Sequence, residues 1–489
     1  MDSQTVAASV ERTAPREPHT ATTLKPNALG VLSILFFVLS AQAPLTGVAG
    51  AAPLSVAIGN GSGTPAAYVL AGAVILLFSV GFVAMGRHVV DAGAFSVYIG
   101  AGLGRTVAGG SAAVALFAYC VLQAAMYGLY GSIVGAFVTQ HTALDLPWWA
   151  YTLATMALVR VLGAAGIETG ARVLAVLVIA EFGVLLVFGL VTLFKGGGPE
   201  GLGVADSFSV SAALQGAPGV SVMFALASML GFEATAIYGE EAREPAKTVP
   251  RATYLAVVVV TVFFALVSWM LVSSYGASQA SDAAGEALAA GDSDGFVFVP
   301  IAAQFGGWVS DVLPVLLATS LFAGILTFHN SANRYLYSLG RDGQLPRSLA
   351  RLNGRRAPSI AGRAQTLIAL ALLTPFVVAA TDPVLTLFSW FSGLAVLAMM
   401  LLYLLTSVSV VVFFRRRRVD HRRWNTLIAP VLGALGIAGA VWLILANFTT
   451  LIGGEVGTAV WLGLTVPLVM ALGAANARLR HRRPTPPAG

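Results

Sequence analysis

Residues 252–274 and 456–475 of this chain each run for the thickness of a bilayer without one charged side chain. About 20 consecutive apolar residues make a helix long enough to cross a hydrocarbon core about 30 Å thick. Inside lipid every backbone N–H and C=O must be satisfied, which leaves helices and closed barrels as the spanning structures. Uninterrupted runs of this length fit helices. Ten further stretches read the same way, so the expected spans are 28–56, 66–86, 106–138, 147–163, 170–194, 215–239, 252–275, 308–335, 364–381, 384–414, 426–448 and 455–476. Composition agrees. Of 489 residues, 57% are hydrophobic and 10% charged, against about 25% charged in soluble domains. Several soluble domains could not be covered with so little charge. The single cysteine, Cys120, rules out an intrachain disulfide and a cysteine-based metal site.

The basic residues test the count. Cytoplasmic loops collect Lys and Arg. With the N-terminus inside and twelve crossings, every one of the 28 lysines and arginines except Lys195 falls on the inner side. The expected outer loops are acidic, with Asp282, Glu286, Asp292 and Asp294 close together. The net charge of +6 is therefore an orientation signal and not a nucleic-acid footprint. Arg415 to Arg418 read as an anchor to anionic membrane lipid. The expected organisation is a cytoplasmic tail over 1–27, spans 1–5 over 28–194, spans 6–10 over 215–414, spans 11–12 over 426–476 and a cytoplasmic tail over 477–489. Abundant Arg and Ala with little Lys point to a GC-rich bacterial genome and the plasma (inner) membrane.

Two spans carry helix breakers. Span 1 contains Pro44-Leu45-Thr46-Gly47-Val48-Ala49-Gly50, then Pro53; span 6 contains Gly216, Pro218 and Gly219, then Ala227-Ser228-Met229-Leu230-Gly231-Phe232-Glu233. Glycine and proline also serve as packing and kink residues in spanning helices. Their pairing matters more, because spans 1 and 6 would each open a five-span set, and matching breaks in two halves point to a transporter's site. A broken helix offers free N–H groups and a positive dipole end to a carboxylate, and free carbonyls to an ammonium group or a cation.

Three segments carry a family resemblance. The first is Gly231-Phe232-Glu233, Gly239-Glu240-Glu241-Ala242-Arg243-Glu244-Pro245 and Thr248-Val249-Pro250-Arg251-Ala252. The second runs from Asn333-Arg334-Tyr335 to Gly340-Arg341-Asp342-Gly343 and Pro346. The third, weaker, runs from Asp91 to Tyr98 and from Gly102 to Arg105. In this order they resemble the amino acid–polyamine–organocation superfamily of transporters. The resemblance implies an all-α integral membrane protein with twelve transmembrane helices, a five-plus-five inverted repeat (LeuT-like) and two extra C-terminal helices. It also implies alternating access and a substrate bound between spans 1, 3, 6, 8 and 10. By position, Thr46, Gly47, Val48, Ala49 and Gly50 would hold the substrate carboxylate. Ala227, Ser228, Met229, Leu230 and Gly231 would offer carbonyls to its amino group. Two features depart from the family: its glycine–small–glycine signature appears as Thr46-Gly47-Val48-Ala49-Gly50, and Ala227 stands where many relatives have an aromatic gate, with Phe224 or Phe232 as substitutes.

Glu181 and Glu233 lie well inside spans. A charge at the bilayer centre costs about 2.5–3.5 kcal/mol on insertion scales, and burial disfavours the charged form of a carboxyl, so each is a candidate proton-coupling residue or, alternatively, a hydrogen bond between helices. The resemblance puts Glu181 where several branches carry a lysine beside the broken part of span 1. Glu240 and Glu241 would pair with cytoplasmic arginines as an inner gate. His329 reads as a packing histidine. Tyr119, Tyr127, Tyr130, Ser389, Trp390 and Ser392 could face the pocket or pack. Gly100, Gly102 and Gly104 imitate a phosphate loop without the preceding strand.

The expected function is proton-coupled symport of an amino acid or related amine, neutral or cationic. An exchanger or a non-transporting nutrient receptor is the alternative. The sequence has no His, Asp or Cys cluster at a membrane face for an enzyme and no uninterrupted polar pore for a channel. No cofactor is expected; the partners are the substrate, protons and membrane lipid, with no nucleic acid.

Overall fold

The computed structural model describes residues 29–89, 94–165 and 167–481. In chain order its main helices are α1 (Val31–Gly59), α2 (Gly61–Gly86), α3 (Ala94–Leu103), α4 (Arg105–His141), α5 (Trp148–Ala165), α6 (Ile167–Phe194), α7 (Pro218–Met229), α8 (Ala234–Ile237), α9 (Pro245–Tyr275), α10 (Gly295–Phe305), α11 (Val309–Arg341), α12 (Ser359–Val378), α13 (Pro383–Arg417), α14 (Trp424–Ala446) and α15 (Val456–Arg480). The described residues form no sheet, only the isolated bridges Leu29–Ala242 and Gly198–Gly201. The protein is an all-α, multi-pass membrane protein.

Among the described residues nine helices are long and apolar enough to cross a membrane: all of these except α3, α5, α6, α7, α8 and α10. The difference from twelve lies in three places. The expected span 147–163 is α5, which carries Arg160. The span 170–194 falls in α6, of which Val178–Phe194 is an apolar stretch among the described residues. The span 215–239 is divided, because α7 stops after 12 residues at Met229. The N-terminal tail, residues 482–489 of the C-terminal tail, the start of the Asp91 motif and the side chain of Arg172 lie outside the described residues.

Helix α4 runs through the centre, packed on α3, α5, α11, α13 and α15. Helix α1 lies against α6, α9 and α11, and α7 against α2 and α14. Large apolar side chains on the outer helices are exposed, including Leu367 on α12, Trp442 on α14 and Trp461 and Leu472 on α15. A soluble monomer rarely exposes so much apolar surface; lipid covers it here.

Both expected breaks are present. In α1 the break is at Ala43, in left-handed conformation with φ 42°, one residue before the Pro44–Gly50 stretch. The following Pro44 explains it, since the proline ring disfavours the α conformation in the residue before it and contributes no N–H. Residues 47–51 continue as a wide π turn, a form that favours functional sites. In the other break Leu230 is extended, and Gly231 has φ +113°, a conformation that glycine reaches without strain.

Candidate functional site

The two breaks lie against each other. The Gln42 side-chain amide donates from Nε2 to the Met229 carbonyl at 3.1 Å, joining the end of the first half of α1 to the end of α7. Tyr68 of α2 reaches between them. Its hydroxyl donates to the Gly47 carbonyl at 3.3 Å and lies 3.5 Å from Ser228 Oγ, while its ring stacks on Phe264 of α9 at 5.2 Å. Gly47 is a glycine by necessity: a Cβ there would stand 2.5 Å from the Phe264 ring. Gly50 faces Leu129 and Phe388. The structure thus brings Gly47 together with Ser228, with Thr46, Val48, Ala49 and Gly50 buried on one side and Met229, Leu230 and Gly231 buried on the other; Ala227 is half-buried. Of the suggested substitutes for an aromatic gate, Phe232 turns away to pack on Phe78, Phe82 and Tyr403. Phe224 is buried within α7.

Each break has a carboxyl beside it, in contrasting surroundings. Glu233 accepts from Gly231 N–H at 2.9 Å, from the Tyr403 hydroxyl at 3.0 Å and from the Tyr119 hydroxyl at 3.2 Å. It therefore fastens the break to α4 and α13, not to α1. Glu181 is fully buried, and neither of its oxygens has a hydrogen-bond partner. The Ser320 hydroxyl and the Leu45 N–H are its polar neighbours, outside hydrogen-bonding geometry. Thr46 Oγ1 donates to that same Ser320 at 3.4 Å. Glu181 therefore stands where the second half of α1 restarts.

Beyond α8 the chain is locked. Arg334 Nε meets Glu241 Oε2 at 3.0 Å, both nearly inaccessible, and the guanidinium sits 5.0 Å over the Tyr238 ring, which stacks on Phe37. Leu29 N–H donates to the Glu241 carbonyl at 3.0 Å and Arg243 N–H to the Leu29 carbonyl at 2.8 Å. Glu241 thus pairs with an arginine as the sequence led one to expect; the side chain of Glu240 lies outside the described residues. At the opposite end of α1, Asn60 N–H donates to Ser221 Oγ at 2.8 Å, Asn60 Nδ2 to the Ala213 carbonyl at 3.2 Å, and Gln215 Nε2 to the Asn60 carbonyl at 2.7 Å.

Other candidates divide. Tyr119 belongs to the site through Glu233. Ser389 and Trp390 donate instead to the Leu451 and Ile452 carbonyls. Tyr130 lines an outer apolar groove, and Tyr127 and Ser392 are buried. His329 is held at Nδ1 by Gln365 Oε1 at 2.7 Å, and its buried Nε2 has no partner. Tyr68, Phe264, Gln42, Ser320 and Tyr403 were not singled out by the sequence; Gln42, two residues before a proline in an apolar run, carried the one local signal. Among the described residues no three His, Cys, Asp or Glu side chains gather as a metal site would need.

Comparison with known proteins gives three findings. The family model described as amino acid permease matches residues 29–472. The chain is 28% identical over 229 residues to the branched-chain amino acid permease BcaP of Lactococcus lactis, covering 46% of this chain and 44% of that protein. It is 26% identical over 329 residues to the histidine permease of Saccharomyces cerevisiae, covering 62% and 51%. It thus spans about half the length of these curated relatives. Among solved structures, the Eremococcus coleocola manganese transporter bound to an aromatic bis-isothiourea substituted compound superposes with a TM-score of 0.58 at 13% identity, over 91% of this chain and 94% of that one. A point mutant of that transporter gives 0.58 at 14% identity, over 94% and 98%. At such identities the likeness is one of fold.

Proposed function

This chain belongs to the amino acid permease family, and we propose that it is a secondary active transporter moving an amino acid or related amine across the plasma membrane by alternating access, in symport with protons. The observation that carries this reading is the pair of interrupted helices meeting at Gly47, Tyr68 and Ser228, each with a buried carboxyl at its break. We read the chain as twelve crossings with both termini cytoplasmic. Residues 28–194 and 215–414 would be inverted five-span repeats, and 426–476 two added spans. The alternation of basic residues and the likeness in fold to membrane transporters support this.

In this reading the restart of α1, with Thr46, Gly47, Val48, Ala49 and Gly50, receives the substrate carboxylate. The end of α7, from Ala227 to Gly231, receives the ammonium group. Gln42 Nε2, which donates to the Met229 carbonyl, takes the place of that ammonium and yields to it. The relatives are named for branched-chain amino acids and histidine, and the surfaces facing Gly50 are Leu129 and Phe388; both favour an amino acid with an uncharged side chain. Glu181 is the proton carrier. A bare charge without a partner is far costlier inside a protein than a neutral carboxyl, so a proton remains with it until the site opens to water. Glu233, with three donors, holds the second break in place and is the second carboxyl coupled to the cycle.

Uptake into proteoliposomes tests the reading. Symport requires a proton gradient, whereas exchange requires preloaded amino acid. Binding without flux would make the protein a receptor.

A further inference from the structure

A cavity of about 1040 Å³ opens between α3, the start of α4, the end of α11 and the end of α15. None of the residues at the two breaks lines it. Its volume lies at the upper end of sites for small ligands, which run to about 1,000 Å³.

The cavity has a polar mouth and an apolar depth. Positions built on Gly109 and Gly473 would meet Ala477 and Ala113, so α4 and α15 run antiparallel. One turn further on, Arg105 comes level with Arg480. Ser96 and Asn476 line the same space, as does Asp342, which Arg341 faces at 3.8 Å. Arg480 donates through Nη1 to the Gly343 carbonyl at 2.8 Å and through Nε to Asn476 Oδ1 at 3.1 Å, which fixes its guanidinium at the mouth. From there the wall on α4 passes Ala112 and reaches Leu116. Eleven residues at 1.5 Å each make about 16 Å, roughly half of a 30 Å hydrocarbon core, the depth of one leaflet. Helix α15 is peripheral, with 11% of its most apolar stretch buried, so one of the cleft's walls is a helix whose outer face meets the bilayer.

Two arginines set against one paired aspartate select an anion, and the leaflet-deep apolar wall has no use for a soluble one. We propose that this cleft holds one anionic phospholipid, its phosphate between Arg105 and Arg480 and an acyl chain along α4 as far as Leu116.

The test is native mass spectrometry of the full-length protein released from nanodiscs of phosphatidylglycerol or phosphatidylcholine. One phosphatidylglycerol stays bound and phosphatidylcholine does not. The double variant Arg105→Gln/Arg480→Gln lowers its retention roughly 30-fold, each arginine near a membrane surface having the weight of about one Lys or Arg contact to anionic lipid. Leu116→Trp, which fills the deep end and leaves both arginines, also lowers retention, and glycerol 3-phosphate displaces nothing. Equal retention of both lipids, or retention unchanged in Leu116→Trp, would overturn the proposal. Displacement by glycerol 3-phosphate would overturn it too, in favour of a soluble-anion site. If the glutamine pair fails to fold, Arg105→Lys/Arg480→Lys with Leu116→Trp decides: the lysine pair keeps the lipid, and the tryptophan loses it.

Discussion

Glu181 and Glu233 are both carboxyls inside spans, and their surroundings separate them. Glu233 accepts from three donors, whereas Glu181 has the Ser320 hydroxyl and the Leu45 N–H beside it, outside hydrogen-bonding geometry. Glu181→Gln preserves shape and removes the exchangeable proton, so substrate binding is expected to persist while substrate-driven proton uptake is lost. A pH electrode reads the uptake directly, and unchanged uptake would remove Glu181 from the cycle. The buried pair Arg334–Glu241 makes a different prediction. Removing one partner of a buried pair costs about 3–5 kcal/mol because a bare charge is left behind. Arg334→Ala and Glu241→Ala should each lower the unfolding temperature markedly, and the double variant should fall well short of their sum. Additive losses would mean that the pair contributes no coupling. Outside the membrane, the Arg422 guanidinium at 2.6 Å holds the Asp420 carboxyl at about 2, below its ordinary value. A depressed acid contributes stability that is complete above the unfolded value of about 3.9 and is lost only as pH falls toward 2. Asp420→Asn should therefore leave the shape of the uptake profile between roughly pH 5 and 7 unchanged; a shifted profile would show that Asp420 titrates there.

At the scale of elements, the close approach of α1 to α9 decides a prediction. Gly47→Ala drives a methyl into the Phe264 ring, and overpacking of this kind costs about 1–3 kcal/mol. Uptake should fall in Gly47→Ala and recover in part in Gly47→Ala/Phe264→Leu. Failure to recover would place the fault elsewhere than in that contact. The breaks themselves show what a sequence can and cannot disclose. Gly231 before Phe232 and Glu233 marked the second break correctly, because a left-handed position favours glycine. The first break was read from Pro44 to Gly50, and it falls one residue earlier, on Ala43, where the steric demand of Pro44 acts on its predecessor. The pairing rule for residues before proline could have located it. Tyr68, Ser320 and Tyr403 left no such trace, since each reaches the site from a separate helix and no local period marks a partner 160, 274 or 170 residues away.

For the whole molecule, the run lengths and the alternation of basic residues carried the all-α membrane class, because lipid imposes both on sequence directly. The structure leaves nine long apolar helices among the described residues. Of the remaining expected crossings, 147–163 holds Arg160, 170–194 is described only in part, and 215–239 is divided after Met229. The account stands or falls on uptake of radiolabelled amino acids by proteoliposomes with and without an inward proton gradient. It predicts gradient-driven accumulation of an amino acid with an uncharged side chain, lost in Glu181→Gln. Flux that appears only with preloaded amino acid and ignores the gradient would contradict it.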